Sequence, residues 1–271
     1  MSWLKPTITN APQEHADRLR VAMAAAIAAG DALMLHFERG VIARDKADGS
    51  PVTNADLEAE TTIRNAISNA FPNDGQLGEE HGLINGDNDW RWVIDPIDGT
   101  ISFIHGVPVF GTLIGIEYEG TPVAGVMHFP GLNETVWATE AGAFWKRGEA
   151  KPTRACVSNT TQLADAMVCM TSLDYCDDDH DPWLRVHGAA KRTRGWSDCH
   201  ASSLLVTGRV DAVIEPELKP WDCSAIIAVL RHAGGRFTDW NGEHDNDSSV
   251  QRGVSSNALL HDELCVMLAP R

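Results

Sequence analysis

The sequence predicts a mixed α/β protein built in layers, and three observations carry that expectation. Residues 13–37 hold one long amphipathic pattern with no internal proline. Residues 109–139 contain three β-rich runs broken at glycines. Beyond residue 166, short strand-like and helix-like segments alternate with brief connections.

In the first segment Leu19, Met23, Ala26, Ile27, Leu33 and Met34 recur near the helical period, which predicts one amphipathic helix. Gly30 inside it costs about 1 kcal/mol relative to Ala, too little to break it. Residues 45–51, with Gly49 and Pro51, read as a loop. Thr53 followed three places on by Asp56 is a capping pattern, and Leu57, Ile63, Ile67 and Phe71 continue one apolar face until Pro72 stops it. That is a second helix. Residues 90–94 read as a strand ending on Asp95-Pro96, with a helix able to open over 101–104. The runs 109–118, 122–129 and 134–139, separated by Gly120 and Gly131, suggest an antiparallel meander. In the second half, 167–170 and 211–214 read as strands, 199–207 as a helix closed by Gly208, and 223–232 as a helix ending at Gly234-Gly235. No repeat or low-complexity linker interrupts the chain. The best candidate break lies near residues 151–159, dividing it into halves 1–152 and 153–271.

The 271 residues carry 22 Lys plus Arg against 38 Asp plus Glu, a net charge of −16. Such a balance argues against nucleic acid or an anionic membrane surface as partner, and suits either a self-repelling surface or cation binding. The six cysteines form no CxxC pair, and no HExxH occurs, so scattered reduced thiols are expected. No run reaches the ~20 apolar residues of a membrane span, and no export signal is visible, so a soluble cytoplasmic protein is expected. GxxxxGK[ST], GxGxxG and GxSxG are all absent. The run 174–181, with Asp177-Asp178-Asp179, reads as a solvated acidic loop before it reads as a cation site.

The chemistry concentrates in Trp92-Val93-Ile94-Asp95-Pro96-Ile97-Asp98-Gly99-Thr100. A strand delivers Asp95 at its end, Pro96 fixes a turn, and Asp98 follows three residues later. Gly99 allows close backbone approach, and a helix start would aim free N–H groups at the same spot. Two carboxylates beside an anion site need a shared cation, and Mg²⁺ prefers oxygen ligands and substrate phosphates. A capped turn is the plainer reading of this segment alone. Gly78-Glu79-Glu80-His81-Gly82 sets adjacent acids between glycines, which is costly unless they are solvated or bridged by a cation. Asp222, after Trp221, opens an apolar helix, where it and Asp56 could also serve only as caps.

Taken in order along the chain, the Thr53-x-x-Asp56 start, GEEHG, WVIDPIDGT and Trp221-Asp222 resemble the inositol monophosphatase family of Mg²⁺-dependent phosphatases. The resemblance implies a layered α-β-α-β-α sandwich of the inositol monophosphatase and fructose-1,6-bisphosphatase type, usually as a homodimer. It assigns Glu79, Asp95 and the Ile97 carbonyl to a first metal, and Asp95, Asp98 and Asp222 to a second, with Glu79 able to reach a third, hydrated ion. Most ligands would thus come from the first half, with the last ligand and the substrate pocket in the second. It pairs Thr100 with Asp56, matches Glu80 to an acid near the attacking water, and gives the phosphate to the N–H groups of Gly99 and Thr100. Hydrolysis would proceed by in-line displacement without a covalent enzyme intermediate.

Within that family, three segments resemble the histidinol-phosphate phosphatase branch, which serves histidine biosynthesis. They are Val107-Pro108-Val109-Phe110-Gly111-Thr112-Leu113-Ile114, Gly195-Trp196-Ser197-Asp198-Cys199, and Glu215-Pro216-Glu217-Leu218-Lys219-Pro220-Trp221-Asp222. Ile101 stands where that branch commonly has a basic residue, and Trp221 where it has tyrosine. Histidinol phosphate carries an ammonium group, and Asp198 with Glu215 has charge to offer it, although Asp198 could simply cap the following helix. Inositol 1-phosphate, a nucleoside 3′-phosphate or another small phosphate ester is the alternative substrate, and a pseudoenzyme or a cation-binding protein the non-enzymatic alternative.

Overall fold

The structure is a computed structural model that describes residues 11–40, 43–46, 51–176, 180–196 and 198–269. The acidic triplet at 177–179, the serine at 197 and the tip of the loop at 47–50 lie outside the described residues.

The two periodic segments become helices α1 (Ala11–Arg39) and α2 (Asn54–Ala70). Thr53 caps α2 as its sequence implies: its hydroxyl accepts from Ala55 N–H, while Asp56 Oδ2 accepts from Thr53 N–H. By length and composition α1 could cross a bilayer. Its Ala22, Ala25, Ala26, Ala29 and Leu33 are instead buried against α2 and a large sheet, so it is a core element. Between the helices, β1 (Arg44–Asp45) and β2 (Pro51–Val52) pair as a short ribbon where only a loop was expected.

The large sheet collects β3 (Gly75–Gly78), β4 (Gly82–Ile84), β5 (Trp90–Asp98), β6 (Gly111–Tyr118), β7 (Thr121–Phe129), β8 (Glu134–Thr139), β9 (Gly142–Arg147) and β10 (Thr153–Arg154). Its spatial order is β10-β9-β8-β7-β6-β5-β3-β4, antiparallel except where β3 and β5 run parallel. The expected meander is β6–β7–β8, and β9 and β10 extend it. A strand stopping at Asp95 was expected, but β5 continues irregularly to Asp98. Asp95 pairs with Leu113 and Asp98 with Gly111, so the ladder slips across Pro96, which has no N–H to donate.

The small sheet holds β11 (Met167–Met170), β12 (Arg192–Arg194), β13 (Ala212–Glu215), β14 (Arg236–Asp239) and β15 (Gly253–Ser256), in the order β12-β11-β13-β15-β14. Five further helices complete the described residues: α3 (Thr100–Ile104), α4 (Asp181–Ala189), α5 (Asp198–Val206), α6 (Pro220–His232) and α7 (His261–Leu268).

Period-two alternation sorts the side chains into three cores. From β6 and β7, Ile114, Ile116, Ala124 and Val126 face α1 and α2, while Leu113, Met127 and Phe129 face α5 and α6. From β11 and β13, Cys169 and Val213 join that central core, whereas Val168, Met170, Ala212 and Ile214 face outward to α4 and α7. The layers therefore read α1/α2, large sheet, α5/α6, small sheet, α4/α7, an α-β-α-β-α sandwich as the resemblance implied. Gly115 and Gly125 let α6 sit directly on the large sheet. A Cβ at Gly115 would lie 2.3 Å from Ser224 Oγ, and one at Gly125 2.7 Å from the Ala225 carbonyl.

Candidate active site

Because β3 and β5 run parallel, with Gly78 opposite Ile94, both strands release the chain at the same edge. Glu79 and Asp95 therefore emerge side by side, and Glu79 N–H is fixed on the Ile94 carbonyl at 3.2 Å. After the slip in β5, Asp98 points to the same place. Gly99 then adopts φ 85°, the left-handed turn that glycine tolerates, and the chain enters α3 at Thr100. From the opposite layer, α6 presents Asp222 in its first turn. Carboxylate oxygens of Asp95, Asp98 and Asp222 lie within 4.8 Å of one another. All three line one cleft of about 440 Å³, together with Glu79, Ile97, Gly99, Thr100, Thr171, Asp198, Glu215 and Trp221. Asp56 and Glu80 stand behind that lining.

The electrostatics of the cluster are those of crowded acids. Burial pushes the Asp95 and Asp98 carboxyls well above their ordinary range, and neighbouring carboxylates push the same way: Glu79 and Asp98 on Asp95, Asp198 and Asp222 on Asp98. Burial, with Glu79 and Asp198 adding repulsion, raises Asp222 to about 7. Asp95 Oδ1 is buried without a hydrogen-bond partner. A buried, unpartnered carboxylate oxygen among mutually repelling acids is the donor set that a hard divalent cation satisfies, so these residues fit a metal.

Several roles differ in detail from the sequence expectation. Thr100 Oγ1 donates to the Ile97 carbonyl at 3.0 Å, not to Asp56. Asp56 Oδ2 is taken by the Thr53 N–H and hydroxyl, both at 2.7 Å, while its Oδ1 is buried without a partner. Asp56 is thus both a cap and an orphaned acceptor, held above its ordinary range by burial. Asp222 is also a cap as well as a member of the trio, since its Oδ2 accepts from Lys219 N–H at 2.7 Å. At α5 the Cys199 N–H is met by Asp98 Oδ1 at 2.9 Å, so the capping carboxylate there is Asp98. Asp198 itself opens α5 at φ 54°.

Glu79 stands outside the trio and bonds Lys46, whose Nζ lies 2.6 Å from Oε1 of both Glu79 and Glu80. Burial works against the Lys46 charge, but these two hydrogen bonds outweigh it and push its pKa up. Burial and the Glu79 charge raise Glu80 to about 7. Across the cleft, burial raises Glu215 to about 8 despite a 2.7 Å hydrogen bond from the Thr171 hydroxyl.

The sequence reading missed Lys46, Glu60 and Thr171. Glu60 is fully buried on α2 and accepts from Glu80 N–H (2.7 Å), His81 N–H (3.2 Å) and Arg64 Nε (2.6 Å). It clamps the turn that carries Glu79. Its only sequence signal was spacing: four residues after Asp56 puts it on the same helix face.

Comparison with known proteins agrees with this geometry. The family model described as the inositol monophosphatase family matches residues 14–269. A histidinol-phosphatase of Streptomyces coelicolor is 38% identical over 266 residues, covering 95% of this chain and 99% of its own. One from Chlorobaculum parvum is 37% identical over 227 residues, covering 83% and 86%. Among solved structures, a Thermotoga maritima IMPase superposes with a TM-score of 0.82 at 32% identity, covering 93% of this chain and 96% of that one. With the family's model spanning nearly its whole length and its acids gathered in one cleft, the chain belongs to the inositol monophosphatase family and is a phosphatase.

Proposed function

We propose that this phosphatase is Mg²⁺-dependent and hydrolyses histidinol phosphate. The observation that carries the substrate choice is the pair of carboxylates, Asp198 and Glu215, lining the same cleft as the Asp95–Asp98–Asp222 trio. Glu215 is bonded by a neutral hydroxyl and kept near a pKa of 8 by burial, so a cationic alcohol would relieve an unfavourable environment that a neutral one would leave. The names of the relatives from Streptomyces and Chlorobaculum support the same choice.

In this reading Glu79, Asp95 and the Ile97 carbonyl hold one Mg²⁺, and Asp95, Asp98 and Asp222 a second, with Glu79 also reaching a third. When bound, the ions supply positive charge for the phosphate oxygens and make a nearby water more acidic. The chain's own groups do the rest. Gly99 and Thr100 N–H groups orient the phosphate. The Thr100 hydroxyl turns from the Ile97 carbonyl to the orphaned Asp56 Oδ1 and passes its own proton to that carboxylate as it takes one from the attacking water, so it ends as a neutral hydroxyl. Glu80 holds the far side of that water. Lys46, which bonds Glu79 here, would have to release it for Glu79 to serve as a ligand. Asp198 and Glu215 receive the substrate ammonium.

A second reading, inositol 1-phosphate, is favoured by the likeness to the Thermotoga IMPase, since the metal-side residues alone do not choose an alcohol. The test is kcat/KM for histidinol phosphate, inositol 1-phosphate and p-nitrophenyl phosphate. Histidinol phosphate is expected to lead. Asp198→Asn is expected to lower its kcat/KM about 10–100-fold more than that of p-nitrophenyl phosphate, the worth of a charge-assisted hydrogen bond. Faster turnover of inositol 1-phosphate by the unmodified enzyme would move the assignment to the second reading, and equal losses on both esters would make Asp198 structural.

A further inference from the structure

Asp198 and Glu215 reach the cleft from different elements. Asp198 begins α5, and Glu215 ends β13. A single side chain links them. Thr171, the residue after β11, donates its hydroxyl proton to Glu215 Oε2 at 2.7 Å and accepts the Asp198 N–H at 3.2 Å. One hydroxyl has one proton, so the two bonds have fixed direction: the acceptor side goes to the helix and the donor side to the carboxylate. The next N–H of α5, at Cys199, is held by Asp98 Oδ1. The start of α5 is thereby tied to the trio through Asp98 and to the alcohol side through Thr171. Asp198 also needs such a tether. Its φ of 54° lies in the left-handed region, which residues with a side chain adopt uncommonly, aspartate more readily than most. Its carboxylate packs beside Gly99, where a Cβ would come within 3.0 Å of Asp198 Oδ2.

We propose that Thr171 is a positioning residue for substrate choice, whose one hydroxyl holds Asp198 and Glu215 in the mutual arrangement that receives an ammonium group. The inference rests on the reading of those two carboxylates as the ammonium site. Without the hydroxyl, Glu215 keeps its carboxyl and its bond to the Thr171 backbone but loses the 2.7 Å hydroxyl bond, and the Asp198 backbone loses its 3.2 Å contact to the same oxygen. Both carboxylates remain present, so the loss appears as weaker binding of a cationic alcohol and not as a general loss of phosphate chemistry.

The experiment measures kcat and KM for histidinol phosphate and p-nitrophenyl phosphate with the unmodified enzyme, Thr171→Val, Thr171→Ser, Thr171→Ala and Glu215→Gln. Thr171→Val matches the shape and removes the hydroxyl. It is expected to lower kcat/KM for histidinol phosphate about 10-fold more than for p-nitrophenyl phosphate, with the excess in KM. Thr171→Ser restores the hydroxyl and should restore most of that selectivity. Thr171→Ala reports the same quantity if the valine variant folds poorly. Equal losses on both esters for the valine and alanine variants, with Glu215→Gln still selective, would overturn the role of Thr171 and leave the histidinol phosphate reading intact. Equal losses for Glu215→Gln itself would instead remove that reading, and this inference with it.

Discussion

The two sides of the cleft are built differently. The metal side hangs on regular structure. Glu79 and Asp95 leave adjacent parallel strands, Asp98 follows one slip later, and Asp222 sits in the first turn of a helix pressed onto the sheet through Gly115 and Gly125. The side proposed for the alcohol hangs on a strand end, a left-handed residue and one threonine. A side fixed by sheet register tolerates little change, because moving one ligand means moving a strand. A side fixed by a few hydrogen bonds can be retuned by single substitutions. That contrast gives a physical reason for one family to keep a metal centre while varying the alcohol it accepts.

The largest effect is expected at Asp95. It is 2% exposed, shared between both proposed ions, and its Oδ1 has no protein partner. Asp95→Asn is expected to lower kcat/KM by at least ~10³-fold on every ester alike, and chelation should abolish turnover reversibly. Full activity of either the variant or the chelated enzyme would remove the metal side as described.

A smaller effect is expected at Thr100. If its hydroxyl turns to Asp56 Oδ1 during the reaction, Thr100→Val should reduce kcat about 10²-fold with little change in KM, on cationic and neutral esters equally. A near-normal kcat would leave Thr100 as a helix-start residue bonded to the Ile97 carbonyl, the contact it makes here.

The same contrast explains what could be read from the residues alone. The metal side was legible because its signals are local. Asp95, Pro96, Asp98 and Gly99 fall in one strand–turn–helix segment, and Thr53 with Asp56 form a capping box within four residues. The five-layer sandwich followed from the resemblance those motifs carry, while β6–β8 and helices α1, α2, α5 and α6 were visible in periodicity. The small outer elements β4, β10, β12 and α7 were not, because two to eight residues hold too few turns of any pattern. The alcohol side was only partly legible: Asp198 and Glu215 stood out as charges, but the Thr171 that joins them lies 27 and 44 residues away. The Lys46 contact was hidden for the same reason, since Glu79 and Glu80 lie 33 and 34 residues further along the chain. Two expected contacts are made otherwise: the Thr100 hydroxyl bonds the Ile97 carbonyl and not Asp56, and the Cys199 N–H at the start of α5 meets Asp98.

Glu60 supports the Glu79 turn from behind the acidic cluster. It touches no cleft surface, yet it holds the backbone of Glu80 and His81 and is itself held by Arg64. Groups that orient metal ligands from behind typically contribute 10–100-fold in metal affinity. Glu60→Gln keeps the volume but offers an amide N–H where an acceptor is needed. It is expected to weaken Mg²⁺ binding by titration calorimetry about 10-fold, without altering the preference for histidinol phosphate over p-nitrophenyl phosphate. Unchanged Mg²⁺ affinity would show that the register of β3 suffices to hold Glu79.

The smallest effect separates the two sides by pH. Burial raises Asp222 to about 7 and Glu80 to about 7 on the metal side, and Glu215 to about 8 on the alcohol side. A carboxyl whose folded pKa exceeds its unfolded value binds more protons folded than unfolded at any pH between the two. Stability therefore falls as pH rises through that window, here from about 4 to about 8, and is highest where these groups are protonated. In the proposed reading Mg²⁺ would bind the deprotonated carboxylates of the folded protein, so it should offset the loss on its own side only. The melting temperature in chelator is expected to drop by a few degrees between about pH 6 and about pH 8.5, and added Mg²⁺ should raise it more at the higher pH. Glu215→Gln removes a buried acid that the metal does not touch, so it should flatten the slope in chelator and leave the Mg²⁺-induced rise in place. If the variant instead abolished that rise, Glu215 would belong to the metal centre, and the division of the cleft into two independently built sides would fail.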